Sequence, residues 1–138
     1  MGIQFAAVDE LVATSDYVCM LLPLFPETEQ ALSRDFFARM KPGAIFVSCG
    51  GSGVVDDEAL AEAVASGYLY GAAVDTFTFE PIAPDSPLLP VVRNPQANLI
   101  LTPHTAAGAS SANRNGRVDD YANLMRVLKG GALVGRVA

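Results

Sequence analysis

The chain has 138 residues, of which 51% are hydrophobic, so one domain with a well-supplied core is expected. Fifteen acidic residues against nine basic ones give a net charge of −6 without any run of Lys or Arg, which argues against nucleic acid and anionic membranes as partners. No apolar stretch is long enough to span a membrane and no signal-peptide pattern opens the chain, so we expect a cytoplasmic protein. One histidine and two cysteines offer no metal-ligand spacing, and we expect Cys19 and Cys49 to be reduced and buried.

The predicted elements alternate between apolar runs of strand length and short helical patterns. Two runs, residues 17–22 and 44–48, are continuous, as in strands that are covered on both faces. In chain order the sequence predicts a helix over 9–13, a strand over 17–22, helical pieces over 27–32 and 34–40, a strand over 44–48, a helix over 56–66, a strand over 68–75, a proline-rich loop over 76–97, a strand over 98–102 and a final helix. This order is typical of an α/β fold with a parallel sheet and right-handed crossovers.

Local signals mark where several helices begin and end. Ser33 is the predicted N-cap of the 34–40 helix, and Asp56 or Asp57 that of the next one. The final helix has one apolar stripe and is closed by a pair of glycines, Gly130-Gly131. The residues of this stripe are Val118, Tyr121, Ala122, Met125 and Leu128.

The only histidine of the chain, His104, follows the last predicted strand. Because proline cannot continue a central ladder, Pro103 ends that strand and presents His104 at its carboxyl end. This edge of an open α/β sheet is where chemistry is commonly placed. A hydrogen-bonded structural histidine is the alternative interpretation.

Six motifs stand in a fixed order along nearly the whole chain. They are Leu11…Ser15-Asp16, Leu22-Pro23…Glu27-Thr28, Met40-Lys-Pro-Gly-Ala44, Gly53-Val-Val-Asp56…Ala59-Leu60, Gly71-Ala-Ala-Val-Asp75…Glu80-Pro81 and Thr102-Pro-His104. In this order and spacing the chain resembles the D-isomer-specific 2-hydroxyacid dehydrogenases, an oxidoreductase family. The resemblance implies half of a Rossmann-type domain, with about four parallel strands, crossover helices and a C-terminal helix.

The resemblance also implies roles for residues that follow the predicted strands. His104 would be the proton donor or acceptor at the substrate carbonyl, with Glu80 as the carboxylate that fixes its tautomer and raises its pKa. Asp75 resembles the residue that binds the nicotinamide carboxamide. The alternatives are a solvated loop charge for Glu80 and a strand-end cap for Asp75. The further candidates for cofactor contacts are Pro23, Ser48 and Cys49.

Two departures from the family pattern affect the interpretation. The family's Asn-x-x-Arg-Gly segment reads Ser48-Cys-Gly-Gly51-Ser52 in this sequence. Gly51 therefore stands at the position of the family's arginine, which binds the substrate carboxylate through two hydrogen bonds. Gly51 and Ser52 remain candidate substrate-binding residues. Arg93, Arg114 or Arg117 would have to replace that arginine from elsewhere. The Gly-x-Gly-x-x-Gly turn and a separate substrate domain are also missing. We therefore expect residues 1–138 to form one truncated Rossmann-like domain that does not bind NAD(P), the family's cofactor, tightly by itself.

Three functions are compatible with these residues. In the first, which we favour on the sequence alone, the His104–Glu80 pair transfers protons on a carbonyl or enol substrate without hydride transfer, in isomerisation, elimination or cyclisation. Ser48, Cys49 and Ser52 could then stabilise an enolate, although Cys49 is alternatively a buried, inert thiol. In the second, the chain is part of an NAD(P)-dependent oxidoreductase acting on a 2-keto acid. The third is a non-catalytic binding or scaffolding remnant.

The predicted strand over residues 17–22 also bears on oligomeric state. An apolar strand at the edge of a sheet is a template for pairing, and a sheet face without helices leaves an apolar patch. We therefore predict a homodimer that joins these edges or buries the stripe of the final helix against its twin.

Overall fold

The computed structural model describes residues 2–106, 121–132 and 134. The chain divides into two compact units, Met1–His104 and Thr105–Ala138. In the first unit, four parallel strands form one sheet in the order β1-β2-β3-β4. The strands are β1 (Tyr17–Met20), β2 (Ile45–Ser48), β3 (Gly71–Val74) and β4 (Leu99–Leu101). This arrangement confirms the α/β fold with parallel strands that the alternation of elements predicts.

Four helices connect or flank these strands: α1 (Val8–Thr14), α2 (Arg34–Arg39), α3 (Asp57–Ala65) and α4 (Leu88–Val92). Asp56 caps α3 as predicted, since its carboxylate accepts a hydrogen bond of 3.0 Å from Ala59 N. Ser33 occupies the N-cap position of α2, but its side chain makes no capping bond, so the predicted mechanism is wrong there.

Two other local predictions are also wrong. Residues 27–32 form turns instead of a helix, and Leu32 makes a parallel bridge with Val55. The region 76–97 is not a continuous loop, because it contains α4. Burial explains this helix, since Leu88 is completely enclosed in the core despite the prolines around it.

One face of the sheet is buried against helices. Alternate residues of the strands point to this face, including Val18, Phe46 and Val74. Phe37 of α2 packs edge to face on Phe46 of β2, with ring centroids 5.2 Å apart. The hydrophobic core therefore lies between this face and the helices.

The opposite face of the sheet is apolar and open within the described part of the chain. Its register rows are Tyr17–Ile45–Gly71 and Cys19–Val47–Ala73–Ile100. Tyr17 is 68% exposed, Ile100 is 57% exposed, and Cys19 is exposed as well. The predictions that strand 17–22 is covered on both faces and that Cys19 is buried are therefore wrong. The physical reason is that β1 lies at the edge of the described sheet and alternates its side chains between a covered and an open face.

In the second unit, residues 121–128 are helical. The helix ends as predicted at Gly130, which has a left-handed φ of +73°, and Gly131 N donates to Arg126 O at 2.7 Å. Tyr121, Met125 and Leu128 of the predicted stripe are exposed and Ala122 is half-buried, whereas Val118 lies outside the described residues. Among the helices that the structure describes, none has the length and apolar character needed to cross a membrane.

Candidate active site

The candidate site lies at the carboxyl ends of the strands, where main-chain hydrogen bonds continue beyond the sheet. Gly51 N donates to Leu22 O at 2.8 Å, Asp75 N donates to Ser48 O at 3.0 Å, and His104 N donates to Asp75 O at 2.8 Å. These bonds link the segments that follow the four strands to one another in the same order as the strands themselves. The side chains that follow the strands are therefore held at one edge of the sheet, as expected for parallel strands.

The imidazole of His104 and the carboxylate of Glu80 are in direct contact. Nδ1 of His104 lies 2.9 Å from Oε2 and 3.0 Å from Oε1 of Glu80, and Phe77 N also donates to Oε1 at 3.2 Å. Both side chains are substantially exposed. The structure thus brings together the two residues that the sequence predicts as a pair.

Each member of this pair changes the pKa of the other. The hydrogen bond to Glu80, and then its negative charge, hold the pKa of His104 above its ordinary value. The hydrogen bond from His104, followed by the one from Phe77 N–H, holds the pKa of Glu80 below its ordinary range. Both shifts favour imidazolium beside carboxylate. Because Glu80 binds Nδ1, Nε2 is the ring nitrogen that can exchange a proton with a ligand.

The backbone of His104 has an uncommon conformation for a residue with a side chain. Its φ of +53° lies in the left-handed region, and its N–H also lies 2.9 Å from Thr102 O across Pro103. Such a conformation persists only where the surroundings hold it, and it often marks a functional site. Here the main-chain bond to Asp75 O is the contact that holds it.

Asp75 is a buried carboxylate at the end of β3. Its side chain belongs to a residue that is only 4% exposed, and Oδ1 accepts a hydrogen bond of 2.5 Å from the hydroxyl of Thr102. The neighbouring Thr76 donates its hydroxyl to Gly50 O at 2.8 Å. Thr102 was predicted only as part of a motif, and its position two residues before His104 is the signal that could have marked it as a site residue.

The other predicted cofactor residues have different positions relative to this edge. Ser48 is 1% exposed and shares the helix-covered face with Phe46, so its side chain is not accessible to a ligand. Cys49 is half-buried on the opposite side, and burial, then Asp75 and then Cys19, raise the pKa of its thiol. A thiol with a raised pKa is protonated at neutral pH and is a poor nucleophile. Pro23 is exposed and accepts the hydroxyl of Thr28 at its carbonyl, at 2.8 Å.

The glycine loop after β2 is packed tightly against the chain that leaves β1. A Cβ atom at Gly51 would lie 2.6 Å from Leu24 N, and one at Gly50 would lie 2.5 Å from Leu22 O. Both distances are too short for real contacts, so a side chain at position 51 would require the backbone to move. Ser52 begins a short 3-10 helix, Ser52–Val54.

The structure describes four basic residues in this unit, Arg34, Arg39, Lys41 and Arg93. Three of them are held in ion pairs, Arg34 with Glu62, Arg39 with Asp9 and Lys41 with Asp16. Arg93 is the C-cap of α4, whereas Arg114 and Arg117 lie outside the described residues. Among described residues, no group of three or more metal-ligating side chains is placed to hold an ion.

An apolar cavity of about 400 Å³ adjoins the Glu80 carboxylate. Its lining consists of Phe77, Glu80, Pro81, Ile82, Leu101, Thr102 and Pro103. Glu80 and Thr102 therefore lie between this cavity and their partners His104 and Asp75, which do not line it themselves.

Comparison with known proteins supports a family assignment. The sequence profile described as "D-isomer specific 2-hydroxyacid dehydrogenase, NAD binding domain" matches residues 1–106. Glyoxylate/hydroxypyruvate reductase B of Shigella boydii serotype 4 is 35% identical over 127 residues, which cover 92% of this chain and 38% of that protein. The same reductase of Pectobacterium carotovorum is 37% identical and is matched over 37% of its length. The chain thus spans less than two-fifths of these relatives.

Solved structures give the same result. A D-isomer specific 2-hydroxyacid dehydrogenase from Xanthobacter autotrophicus, in complex with NADPH and MES, superimposes with a TM-score of 0.76 at 30% identity, over 95% of this chain and 51% of that one. The NADPH-dependent glyoxylate/hydroxypyruvate reductase of Sinorhizobium meliloti, in complex with NADP and sulfate, gives 0.77 at 30% identity, over 94% and 40%. The profile match over most of the chain, together with these likenesses, shows that the chain belongs to the D-isomer-specific 2-hydroxyacid dehydrogenase family, within its NAD-binding domain.

Proposed function

We propose that this chain supplies the nicotinamide side and the acid–base pair of an NAD(P)-dependent oxidoreductase that interconverts a small 2-keto acid and its 2-hydroxy acid. The observation that carries this proposal is the contact between His104 Nδ1 and Glu80 at the sheet edge. The relatives named as glyoxylate/hydroxypyruvate reductases support reduction of a keto acid as the reaction. The comparisons therefore favour the second sequence-based interpretation. The first, proton transfer without hydride transfer, has no support among them.

The described residues fit the nicotinamide end of the cofactor. Asp75 provides a buried acceptor that suits a carboxamide N–H, and Gly50 and Gly51 keep side chains away from the exit of β2. The Gly-x-Gly-x-x-Gly turn that binds the diphosphate does not occur in this sequence. We infer that the diphosphate is bound by residues outside this sequence.

His104 is the proposed proton donor in the direction of keto-acid reduction. A reduced nicotinamide, when bound, supplies the hydride. The Nε2–H of the imidazolium donates a hydrogen bond to the substrate carbonyl oxygen, polarises the C=O bond and gives up its proton as that oxygen becomes a hydroxyl. Glu80 stabilises the positive ring before this transfer. In the oxidation of a hydroxy acid, the neutral ring accepts the hydroxyl proton at the same nitrogen.

The glycine at position 51 bears on recognition of the substrate carboxylate. It has no side chain, and its N–H is already donated to Leu22 O. Position 51 therefore offers an anion neither a cation nor a free donor. We propose that this part of the substrate is recognised outside the 48–52 loop, so that His104 and the apolar cavity define only the carbonyl end of the site.

A titration with reduced nicotinamide mononucleotide tests this proposal. Its readout is the change in the amide NMR shifts of the full chain. We expect the changes to centre on Asp75 and Cys49 and to be lost in Asp75→Ala. Adenosine monophosphate is the matched control, because it carries the adenosine half of the cofactor and lacks the nicotinamide that we assign to this chain. Shifts with the adenine nucleotide alone, or none with the nicotinamide one at millimolar concentration, would contradict the proposal.

A further inference from the structure

Thr102 is exposed, yet its hydroxyl reaches the buried carboxylate of Asp75. We propose that Thr102 is a positioning residue that ties the Asp75 carboxylate to the turn that carries His104. This role for Thr102 rests on the proposed function, in which Asp75 contacts the cofactor and His104 transfers the proton.

Both ends of the Thr102–His104 turn contact Asp75. At one end, Thr102 Oγ1 donates to Asp75 Oδ1 at 2.5 Å. At the other end, His104 N donates to the main-chain oxygen of Asp75 at 2.8 Å. The residue between them, Pro103, has no N–H to contribute. Asp75, the residue that directly follows β3, therefore contacts the turn through both its side chain and its main chain.

The turn needs such an attachment because of its geometry. His104 has a φ of +53°, which is unfavourable for a residue with a Cβ atom and requires support from its neighbours. If the Thr102 hydroxyl is lost, two main-chain bonds still attach the turn, from Thr102 N to Val74 O at 3.0 Å and from His104 N to Asp75 O at 2.8 Å, but the side-chain attachment next to His104 is gone. We expect the turn then to relax and the distance between His104 and Glu80 to vary.

Asp75 in turn needs a donor. The residue is 4% exposed, and a buried carboxylate is costly unless hydrogen bonds stabilise it. Thr102 is itself exposed, so its replacement leaves no cavity in the core. Its β-branched side chain has few rotamers, which keeps the hydroxyl directed at Asp75.

Three variants separate a positioning role from a merely structural one. Thr102→Val keeps the shape and removes the hydroxyl, whereas Thr102→Ser keeps the hydroxyl. The matched control is Thr76→Val, because Thr76 follows Asp75 directly and donates its hydroxyl to Gly50 O, not to the carboxylate. The readouts are the ring resonance of His104, which is the only histidine in the sequence, and hydrogen exchange of its amide.

In Thr102→Val we expect the His104 amide to exchange at least about tenfold faster, since its bond to Asp75 O opens more often. We also expect the imidazole pKa to fall towards its ordinary value, because contact with Glu80 weakens. Thr102→Ser and Thr76→Val should behave like the wild type. Unchanged titration and exchange in Thr102→Val, or equal changes in Thr76→Val, would overturn the inference.

Two further measurements keep the inference independent of folding and of the proposed function. In the wild type, a His104 amide that exchanges at the rate of an unprotected peptide would overturn it without any variant. Binding of reduced nicotinamide mononucleotide is measured on the same samples. If that ligand fails to bind while Thr102→Val changes His104 as expected, the proposed function fails and the positioning role stands.

Discussion

His104 Nδ1 lies 2.9 Å from Oε2 of Glu80, although the two residues are separated by most of a proline-rich connection. The contact exists because β3 and β4 are adjacent and parallel, so that the chain segments following them leave the sheet at the same edge.

Replacing Glu80 by Gln lowers the pKa of His104. The Glu80 carboxylate raises that pKa by hydrogen bond and charge, and an amide supplies no charge. NMR titration of the single histidine resonance measures the change. The matched control is Glu29→Gln, an exposed glutamate elsewhere on the surface that should leave the titration unchanged. A wild-type midpoint in Glu80→Gln would mean that the pair does not form in solution.

The same pair makes folding stability depend on pH in a defined window. The raised pKa of His104 contributes stability that is present at low pH and lost as pH rises through the folded value. The lowered pKa of Glu80 contributes stability that is lost as pH falls through its own folded value. Wild type should therefore melt at a higher temperature than Glu80→Gln at about pH 6, and this difference should shrink at pH values well above the histidine midpoint. A difference in melting temperature between wild type and Glu80→Gln that is the same at every pH would contradict this coupling.

Asp57 provides a second, separate pH effect at the start of α3. Burial, and then the charge of Asp56, raise its pKa to about 6. Because the folded value is raised, protonated Asp57 favours the native state at low pH, and that contribution is lost as pH rises through about 6. Asp57→Asn should therefore be more stable than wild type at pH 8, by roughly 1 kcal/mol after allowing for solvent screening.

Urea denaturation at pH 8 and pH 4 tests this, and the gain should vanish at the lower pH. Asp56→Ala is the contrasting variant, because it removes the N-cap bond to Ala59 N and should cost about 1 kcal/mol at pH 8. A loss of stability in Asp57→Asn at pH 8 would show that the charged form is not penalised.

A side chain at position 51 destabilises the fold. In Gly51→Ala the new Cβ meets Leu24 N at 2.6 Å, so the backbone must shift, and we expect a loss of about 1–3 kcal/mol in unfolding free energy. Gly53→Ala is the matched control, because its Cβ meets only the flexible side chain of Leu24, at 3.1 Å or more. Equal stability of the two variants would refute the tight packing of this loop.

Self-association stays a prediction of the sequence. We expect light scattering to give twice the chain mass of 14.5 kDa at micromolar concentration. Cys19→Lys places a charge on the exposed edge strand and should shift the protein towards monomer, whereas Glu29→Lys should not. A monomeric wild type would contradict the predicted homodimer.

Much of the fold could be predicted because four apolar runs of strand length alternate with helical patterns. The periodicity could not show that Tyr17–Met20 has one open face, since a continuous apolar run contains no information about which neighbours cover it. Helix α4 was missed because its prolines indicate a loop, whereas the burial of Leu88 stabilises the helix.

The site could be predicted in part. The family resemblance implied His104 and Glu80 as a pair, and their positions after adjacent predicted strands made a contact between them feasible. Ser48 was predicted as a cofactor contact, and its spacing of two from the core residue Phe46 is the signal that its side chain lies on the covered face. The bond between Thr102 and Asp75 and the left-handed backbone of His104 depend on non-local contacts that no local pattern encodes.

We propose that His104, held by Glu80, gives a proton to a keto acid as hydride reaches it. The most direct measurement is the oxidation of reduced nicotinamide mononucleotide by glyoxylate in the presence of the full chain. We expect this oxidation to be faster than in buffer alone, and we expect its rate to fall by about 10²-fold or more in His104→Ala. A rate equal to that of buffer, or one that His104→Ala leaves unchanged, would contradict it.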